Sequence, residues 1–313
     1  MYQGNSIAVV VPAYNEELLI SQTLKSIPDY IDKIYVVDDG SNDRTLDIIE
    51  QIASNNKHII PISHEVNRGV GASIVSGYQH SLRDNIDITV VMAGDAQMDP
   101  IHIPQLIQPI LENKADYTKG NRLLKVSHMK GMSPFRKIGN SILTMLTKVS
   151  SGYYDLMDPQ NGYTAITKRA LATIELDEIY PKYGYCNDLL CKLNVFNFSA
   201  VDVSIPAKYG SEKSKIKYGR YIVKVSWLLL NNFLYRQKMK YIFQDLSPIP
   251  FLFLFGIILI PYGFYTLIYG HFNPAFGMSL PILILGLQLM LIATVLDINY
   301  SKYHHKPKKE KKL

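Results

Sequence analysis

Ser6–Glu17 reads SIAVVVPAYNEE, and Lys33–Thr45 reads KIYVVDDGSNDRT. Each stretch is a short apolar run that stops abruptly in polar, turn-forming residues. Such a run has the character of a strand buried on both faces. Working outward, Ile59–Ile62 and Ile88–Met92 repeat the theme, and helical patterns occupy Glu16–Ile27, Arg44–Ala53, Ala72–Leu82 and Ile103–Leu111. Strands alternating with helices of this length predict right-handed crossovers and a mostly parallel sheet covered on both faces. In such sheets ligands bind at the carboxyl ends of the strands. Three of the four runs end there in polar, non-periodic residues, so the site is expected at that edge.

The residues at those ends narrow the ligand. Pro12-Ala13-Tyr14-Asn15-Glu16 holds no glycine that would let backbone approach a pyrophosphate. Gly69-Val70-Gly71 lacks a third glycine, and no G-x-x-x-x-G-K-[ST] run exists, which argues against a classical dinucleotide fold and a P-loop. The strand ends carry carboxylates instead, at Asp38, Asp39 and Asp95. Carboxylates that face a diphosphate need a divalent cation between them.

Charge divides the 313-residue chain. Residues 1–207 carry a net charge of −5, residues 208–240 a net of +8, and the tail from Lys302 a net of +5. Between Asp245 and Asp297 lie 51 residues without one Asp, Glu, Lys or Arg. Ser247–Tyr269 as a helix would reach about 34 Å and Phe276–Leu296 about 31 Å, each enough to cross a bilayer core. Gly270–Ala275, with Asn273-Pro274, is turn chemistry between them. The basic segments flank the two spans on the outside, so the positive-inside rule predicts an integral membrane protein with its N-terminal body and tail cytoplasmic. Ile216–Phe243 mixes aromatic and aliphatic residues with Lys and Arg, as interfacial helices on anionic headgroups do. The basic charge belongs to this collar and tail, and a nucleic-acid partner is not expected. No charged N-terminus leads into an early apolar run, so no signal peptide is expected either. Two cysteines, Cys186 and Cys191, suit a reduced compartment and make neither a disulfide framework nor a four-ligand zinc site.

Taken together, these residues resemble glycosyltransferase family 2, which has the GT-A fold, and within it the polyprenyl-phosphate glycosyltransferases of the dolichol-phosphate mannose synthase type. The likeness rests on six stretches in order: VVVPAYNEE (Val9–Glu17), VVDDGSNDRT (Val36–Thr45), NRGVGASIVSGY (Asn67–Tyr78), KGNR (Lys119–Arg122), DPQNGY (Asp158–Tyr163) and GSEKSK (Gly210–Lys215). Val70 stands where the family commonly has Lys. The resemblance implies a GT-A catalytic domain over 1–210, basic juxtamembrane helices over 211–245, a transmembrane hairpin over 246–297 and a basic tail over 298–313. It also implies transfer of one hexose, mannose or glucose above all, from a GDP- or UDP-linked donor to a dolichyl or undecaprenyl phosphate. Donor contacts would come from Pro12, Tyr14, Glu16, Val37, Asp38, Asp39 and Gly71.

The family's metal motif reads D-A-D-x-Q, whereas this chain has Ala93-Gly94-Asp95-Ala96-Gln97, without the first Asp. By resemblance Asp95 would ligate Mg²⁺ or Mn²⁺ and Gln97 would assist, with waters completing the shell. An acceptor phosphate is already anionic near neutral pH, so it needs cations more than a base. Arg122, Arg136, Lys137, Ser214 and Lys215 are the candidates, Arg being suited to a bidentate phosphate contact. Asp188 follows Asn187 where related transferases with hydroxyl acceptors place a catalytic base, and it is carried as a third catalytic candidate beside Asp95 and Arg122. The eight histidines form no ligand pair. Two other readings remain at this stage. A processive polysaccharide synthase would carry Q-x-x-R-W, but the single tryptophan, Trp227, lies in Lys-Val-Ser-Trp. A catalytically dead, nucleotide-binding membrane adaptor draws support from the absent Asp. The exposed apolar spans also lead us to expect a homo-oligomer.

Overall fold

The computed structural model describes residues 1–122, 134–206, 218–269 and 278–304. The strands are β1 (Ile7–Ala13), β2 (Lys33–Asp38), β3 (Ile59–Ser63), β4 (Ile88–Val91), β5 (Tyr117–Asn121), β6 (Thr164–Thr167) and β7 (Ala200–Ser204). They form one sheet in the order β3-β2-β1-β4-β6-β5-β7. All neighbours are parallel except β6, which runs antiparallel between β4 and β5.

The apolar run of β1 is buried on both faces because successive side chains point to opposite sides of the sheet. Ile7, Val9 and Val11 enter one core with Ile34 and Val36, under α1 (Ile20–Ser26), α2 (Thr45–Ala53) and α4 (Ile103–Leu111). Ala8 and Val10 enter the other with Tyr35 and Val37, under α3 (Val70–Arg83), α6 (Lys168–Thr173) and α7 (Tyr185–Val195). The helix between β3 and β4 therefore lies opposite those flanking β2, as right-handed crossovers on a doubly covered sheet require.

Three strands escape a reading by apolar runs. β5 is YTKGN and every residue in it is buried. The register with β7 runs from Tyr117↔Ala200 through Asn121↔Ser204. β6 and β7 are short and polar, and their neighbours make them strands.

Beyond the sheet, α5 (Pro134–Ser151) and α8 (Tyr218–Lys238) pack together, and α8 closes in a π-helical turn over Met239–Gln244. Then come α9 (Ile249–Tyr269) and α10 (Ser279–His304), which pack on each other. Both are long and apolar enough to cross a membrane, and most of their surface is exposed. Glycines bring them close: a Cβ at Gly256 would lie 2.4 Å from Met290 Cγ, and one at Gly263 2.7 Å from Leu283 Cγ. The segment 270–277 lies outside the described residues.

The apolar span predicted to close at Leu296 belongs to a helix that continues through Asp297 to His304. Asp297 is fully buried, and its carboxylate receives Arg236 Nη1 and Nη2 at 2.7 Å each, Tyr154 Oη at 2.8 Å and the Tyr241 hydroxyl. Arg236 also donates to the Ser150 and Val149 carbonyls that end α5. Gly152 must be glycine here, since its φ is +77° and a Cβ would sit 2.7 Å from Arg236 Nη1. One buried ion pair thus ties α8, the π turn and α10 to the end of α5 and to Tyr154 of the body that carries the sheet.

Lys240, on the π turn, is fully buried and donates to Asn194 Oδ1 at 2.8 Å and Asn194 O at 3.0 Å. Burial, and then the Arg236 charge, push its pKa down to about 7. Below that pH the folded chain carries a buried ammonium; between there and the unfolded Lys value the unfolded chain binds more protons. Stability should therefore rise as pH goes from 7 to 10. Thermal midpoints of wild type and Lys240→Met in detergent should converge or cross over that window, the wild type gaining. Parallel curves would show that Lys240 titrates normally.

Candidate active site

The topology assembles one edge. β1 and β2 end together at Ala13↔Asp38, and Val91 of β4 pairs with Thr164 at the start of the antiparallel β6. Lys119 of β5 pairs with the same Thr164. The loops 14–19, 39–44, 92–99, the Arg122 position and the 158–163 loop consequently all leave the sheet on one side.

Two of these loops brace each other. Asn15 adopts φ 55° and its amide donates to Ser41 Oγ at 3.0 Å, while Asn42 N donates back to Asn15 Oδ1 at 2.9 Å. Glu16 N donates to Thr45 Oγ1 at 2.8 Å, and Glu17 exchanges bonds with Asp43 and Arg44. Pro12 and Glu16 are half-buried, and Tyr14 is left 39% exposed above the mouth. Val37 is wholly in the core.

The two adjacent aspartates have separate surroundings. Asp39 commits both oxygens to the protein: Oδ1 receives Arg68 N at 2.9 Å and faces His64 Nδ1 at 2.7 Å, and Oδ2 receives Gly69 N at 2.7 Å. His64 Nε2 in turn reaches Ser76 Oγ at 2.9 Å. This buried histidine is not singled out by any ligand pattern, and only the fold puts it beside Asp39. Asp38 gives Oδ2 to Ser41 N at 3.1 Å, while its Oδ1 is buried without a hydrogen-bond partner among the described residues. An orphaned acceptor at a strand end is costly unless something donates to it. Gly71 has a packing reason: a Cβ there would lie 2.3 Å from the Tyr180 carbonyl oxygen.

Asp95 and Gln97 occupy a tight turn after β4. Thr23 Oγ1 donates to Gly94 O at 2.9 Å and accepts from Ala96 N at 3.1 Å, with Ala96 at φ 56°. Gln97 N donates to Asp95 Oδ1 at 3.0 Å, and both side chains are half-buried. Asp99 caps the turn Pro100–His102, as its Asp-Pro sequence predicts. Among the described residues no three His, Cys, Asp or Glu side chains group as a metal site. A carboxylate and an amide side chain two residues apart in one turn nevertheless suit Mg²⁺, which keeps several waters and takes its other ligands from substrate phosphates.

Arg122 meets Asp158 across the mouth. Its Nε donates to Asp158 Oδ2 at 2.8 Å and Nη2 to Oδ1 at 3.1 Å, and its backbone N donates to Oδ2 at 3.2 Å. The sequence gives Asp158 only as the start of the DPQNGY stretch, and the structure makes it the partner that aims Arg122. Burial alone would raise the Asp158 pKa, and the Arg122 fork with the nearby Lys119 charge outweighs it and holds the carboxyl below its usual range. The Nε and Nη2 edge that could grip a phosphate therefore rests on Asp158.

Asp188 sits one turn into α7 with Oδ2 accepting from Tyr180 N at 2.8 Å, and burial pushes its pKa up. It holds the 180–181 backbone that presses on Gly71. Arg136 and Lys137 fall in the first turn of α5, where the side chains lie outside the described residues, as do Ser214 and Lys215 altogether.

The family described as Glycosyl transferase family 2 matches residues 8–175, more than half of the chain. The chain belongs to that family. It is 31% identical over 212 residues to a UDP-N-acetylglucosamine–dolichyl-phosphate N-acetylglucosaminyltransferase of Methanococcus voltae, covering 63% of this chain and 84% of that one. It is 26% identical over 202 residues to an undecaprenyl-phosphate mannosyltransferase of Micrococcus luteus, covering 64% and 82%. Glucosyl-3-phosphoglycerate synthase of Mycobacterium tuberculosis, solved with Mn²⁺, UDP and glucosyl-3-phosphoglycerate, matches at a TM-score of 0.54 and 20% identity over 74% of this chain and 80% of that one. The fold is GT-A, and this family 2 member is a glycosyltransferase.

Asp158→Asn should lower turnover about tenfold or more, because Arg122 loses its charged partner and with it the aim of the fork. Arg122→Lys should do the same, since an ammonium cannot match both oxygens of Asp158. Steady-state turnover at saturating substrates tests both, and values near wild type would remove this pair from the site.

Proposed function

We propose that this glycosyltransferase is membrane-bound and moves one sugar from a nucleotide sugar to a polyprenyl phosphate on the cytoplasmic leaflet. The observation that carries the reading is the gathering of Tyr14, Asp38, Asp95 and the Arg122–Asp158 pair at one sheet edge, in a chain that continues into two apolar helices. Relatives whose names specify dolichyl or undecaprenyl phosphate as acceptor support it. Both GlcNAc and mannose occur among them, so the donor class is a UDP- or GDP-linked hexose or N-acetylhexosamine.

Tyr14 and the Asp38 Oδ1 acceptor suit a nucleobase and its N–H groups. Asp95, with Gln97, would hold Mg²⁺ or Mn²⁺. That ion, when bound, would offset the negative charge that develops on the departing nucleoside diphosphate. Arg122, steadied by Asp158, places a cation where the anionic acceptor must approach an anionic donor. A phosphate nucleophile is already ionised near neutral pH, so no base is required and Asp188 can remain with its backbone partner.

Membrane attachment is part of the same reading. On α8, Val223, Trp227, Leu230 and Leu234 are exposed, as apolar side chains at a headgroup boundary would be. The exposed faces of α9 and α10 also suit packing between copies of the chain. The basic segments outside the two spans support a cytoplasmic position for both termini.

The test is a screen of UDP-GlcNAc, UDP-glucose and GDP-mannose with polyprenyl phosphate, scoring lipid-linked sugar in wild type and Asp95→Ala. One donor should give product, and Asp95→Ala or excess EDTA should abolish it. Product formed equally by the variant or in EDTA would remove the metal. No product from any donor would remove the acceptor.

Topology has its own check. A cysteine introduced at Asn273, in the Gly270–Ala275 turn of the sequence, should react with an impermeant thiol reagent added outside intact cells. Protection there, with labelling near Lys309, would reverse the orientation.

A further inference from the structure

Directly behind the Arg122–Asp158 pair lies a buried charge that no step above uses. Lys119, in the middle of β5, is fully buried, and its Nζ has no hydrogen-bond partner among the described residues. Its Cα partner on the neighbouring parallel strand is Asp202, so the two side chains stand on the same face of the sheet. Asp202 gives Oδ2 to two loops of the site, receiving Asn121 Nδ2 at 2.6 Å and Met157 N at 2.7 Å. Its Oδ1 is also buried and without a partner among the described residues. Asn121 and Met157 are the residues immediately before Arg122 and Asp158.

The groups whose fields reach Lys119 are Asp158, Cys186, Asp202 and Arg122. Burial pushes the Lys119 pKa down, against the pull of the two carboxylates, and burial pushes Asp202 up. The buried Lys119 and Asp158 thus lie beside the half-buried Asp202, with the more exposed Arg122 at the mouth, and each sign has its counterpart. Removing one member leaves a buried charge uncompensated, and such a charge is strongly unfavourable. The neighbours can relieve it only by moving, and those neighbours are the anchors of Arg122 and Asp158.

We propose that Lys119 is a positioning residue for sugar transfer, its buried charge balancing Asp202 and Asp158 so that the Arg122–Asp158 fork keeps its place at the mouth. The proposal rests on the reading of Arg122 as the cation that meets the phosphates. Lys119 touches no substrate and acts through Asp202, which joins the Asn121 side chain to the Met157 backbone, next to the two halves of the fork.

The geometry supplies a selective test. Both Asp202 bonds go to Oδ2, so Asp202→Asn can keep them with its amide oxygen, its NH₂ group falling where Oδ1 now lies. In the full-length protein with its donor and polyprenyl phosphate, Lys119→Met should lower kcat about tenfold or more with donor KM changed less than about twofold. That split is the mark of an interaction that acts chiefly in the transition state. Asp202→Asn in the same assay should fall less. The double variant Lys119→Met with Asp202→Asn should return to within about threefold of wild type, because a neutral pair then replaces a balanced one.

Each other result counts against the proposal. If Lys119→Met turns over like wild type, Lys119 merely fills space. If the losses of the single variants multiply in the double, the charges are not coupled. If Lys119→Met fails to fold while the double variant folds with wild-type kcat, the pair serves stability alone. A wild type that transfers sugar to no polyprenyl phosphate would sink the acceptor reading and this inference with it, whereas an active wild type with indifferent variants would sink this inference only.

Discussion

Among the described residues, the pair Arg236–Asp297 is the ion pair that fastens α10 to α8, and through α8 to α5. Both side chains are completely buried. Taking two such charges out of water is costly, and the cost is offset only when the geometry is close and the remaining donors are satisfied. Here the guanidinium makes two bonds to the carboxylate and two to the carbonyls ending α5, and two tyrosine hydroxyls complete the carboxylate. Removing either partner would strand a buried charge, at a cost of about 3–5 kcal/mol. A hydrophobic contact of similar area would let the apolar hairpin slide; a directional pair fixes its register on the catalytic body.

The consequence reaches the site along the chain. Tyr154, held by Asp297, begins the stretch that passes through Met157, tied to Asp202, to Asp158, which grips Arg122. Anchorage on the hairpin and aim of the cation are thus separated by a few residues of backbone. At the other end of the mouth the 14–17 and 41–45 loops lock together by exchanged side-chain and backbone bonds, and His64 secures Asp39. A site assembled on loops gains from such bracing, because catalysis depends on holding its groups in position.

Much of this architecture is legible from patterns that short stretches carry on their own. The apolar runs of β1, β2 and β4 are buried on both faces, so their composition declares them whatever surrounds them. The 51 residues without a charged side chain between Asp245 and Asp297 announce two spans for the same reason, since length and apolarity are local properties. Asp99-Pro100 marks the start of the next helix by its own chemistry. The six ordered stretches led to the family because each is contiguous.

What the sequence by itself determined is therefore the alternation of strand and helix from β1 to α4, the pair of apolar helices and the membership in family 2. Tertiary structure decided the pairings. It set β6 antiparallel, extended β5 through Lys119 and Asn121, and separated Asp38, with its open acceptor, from Asp39, which is consumed by His64 and the Gly69 backbone. It also made Asp158 the partner of Arg122, and turned Asp297 from a boundary mark into the partner of Arg236. The physical reason is common to all of these. A carboxylate's role depends on which donor lies within hydrogen-bond distance, and here the donors come from as far as 143 residues away in the chain. No periodicity or composition encodes a contact of that range.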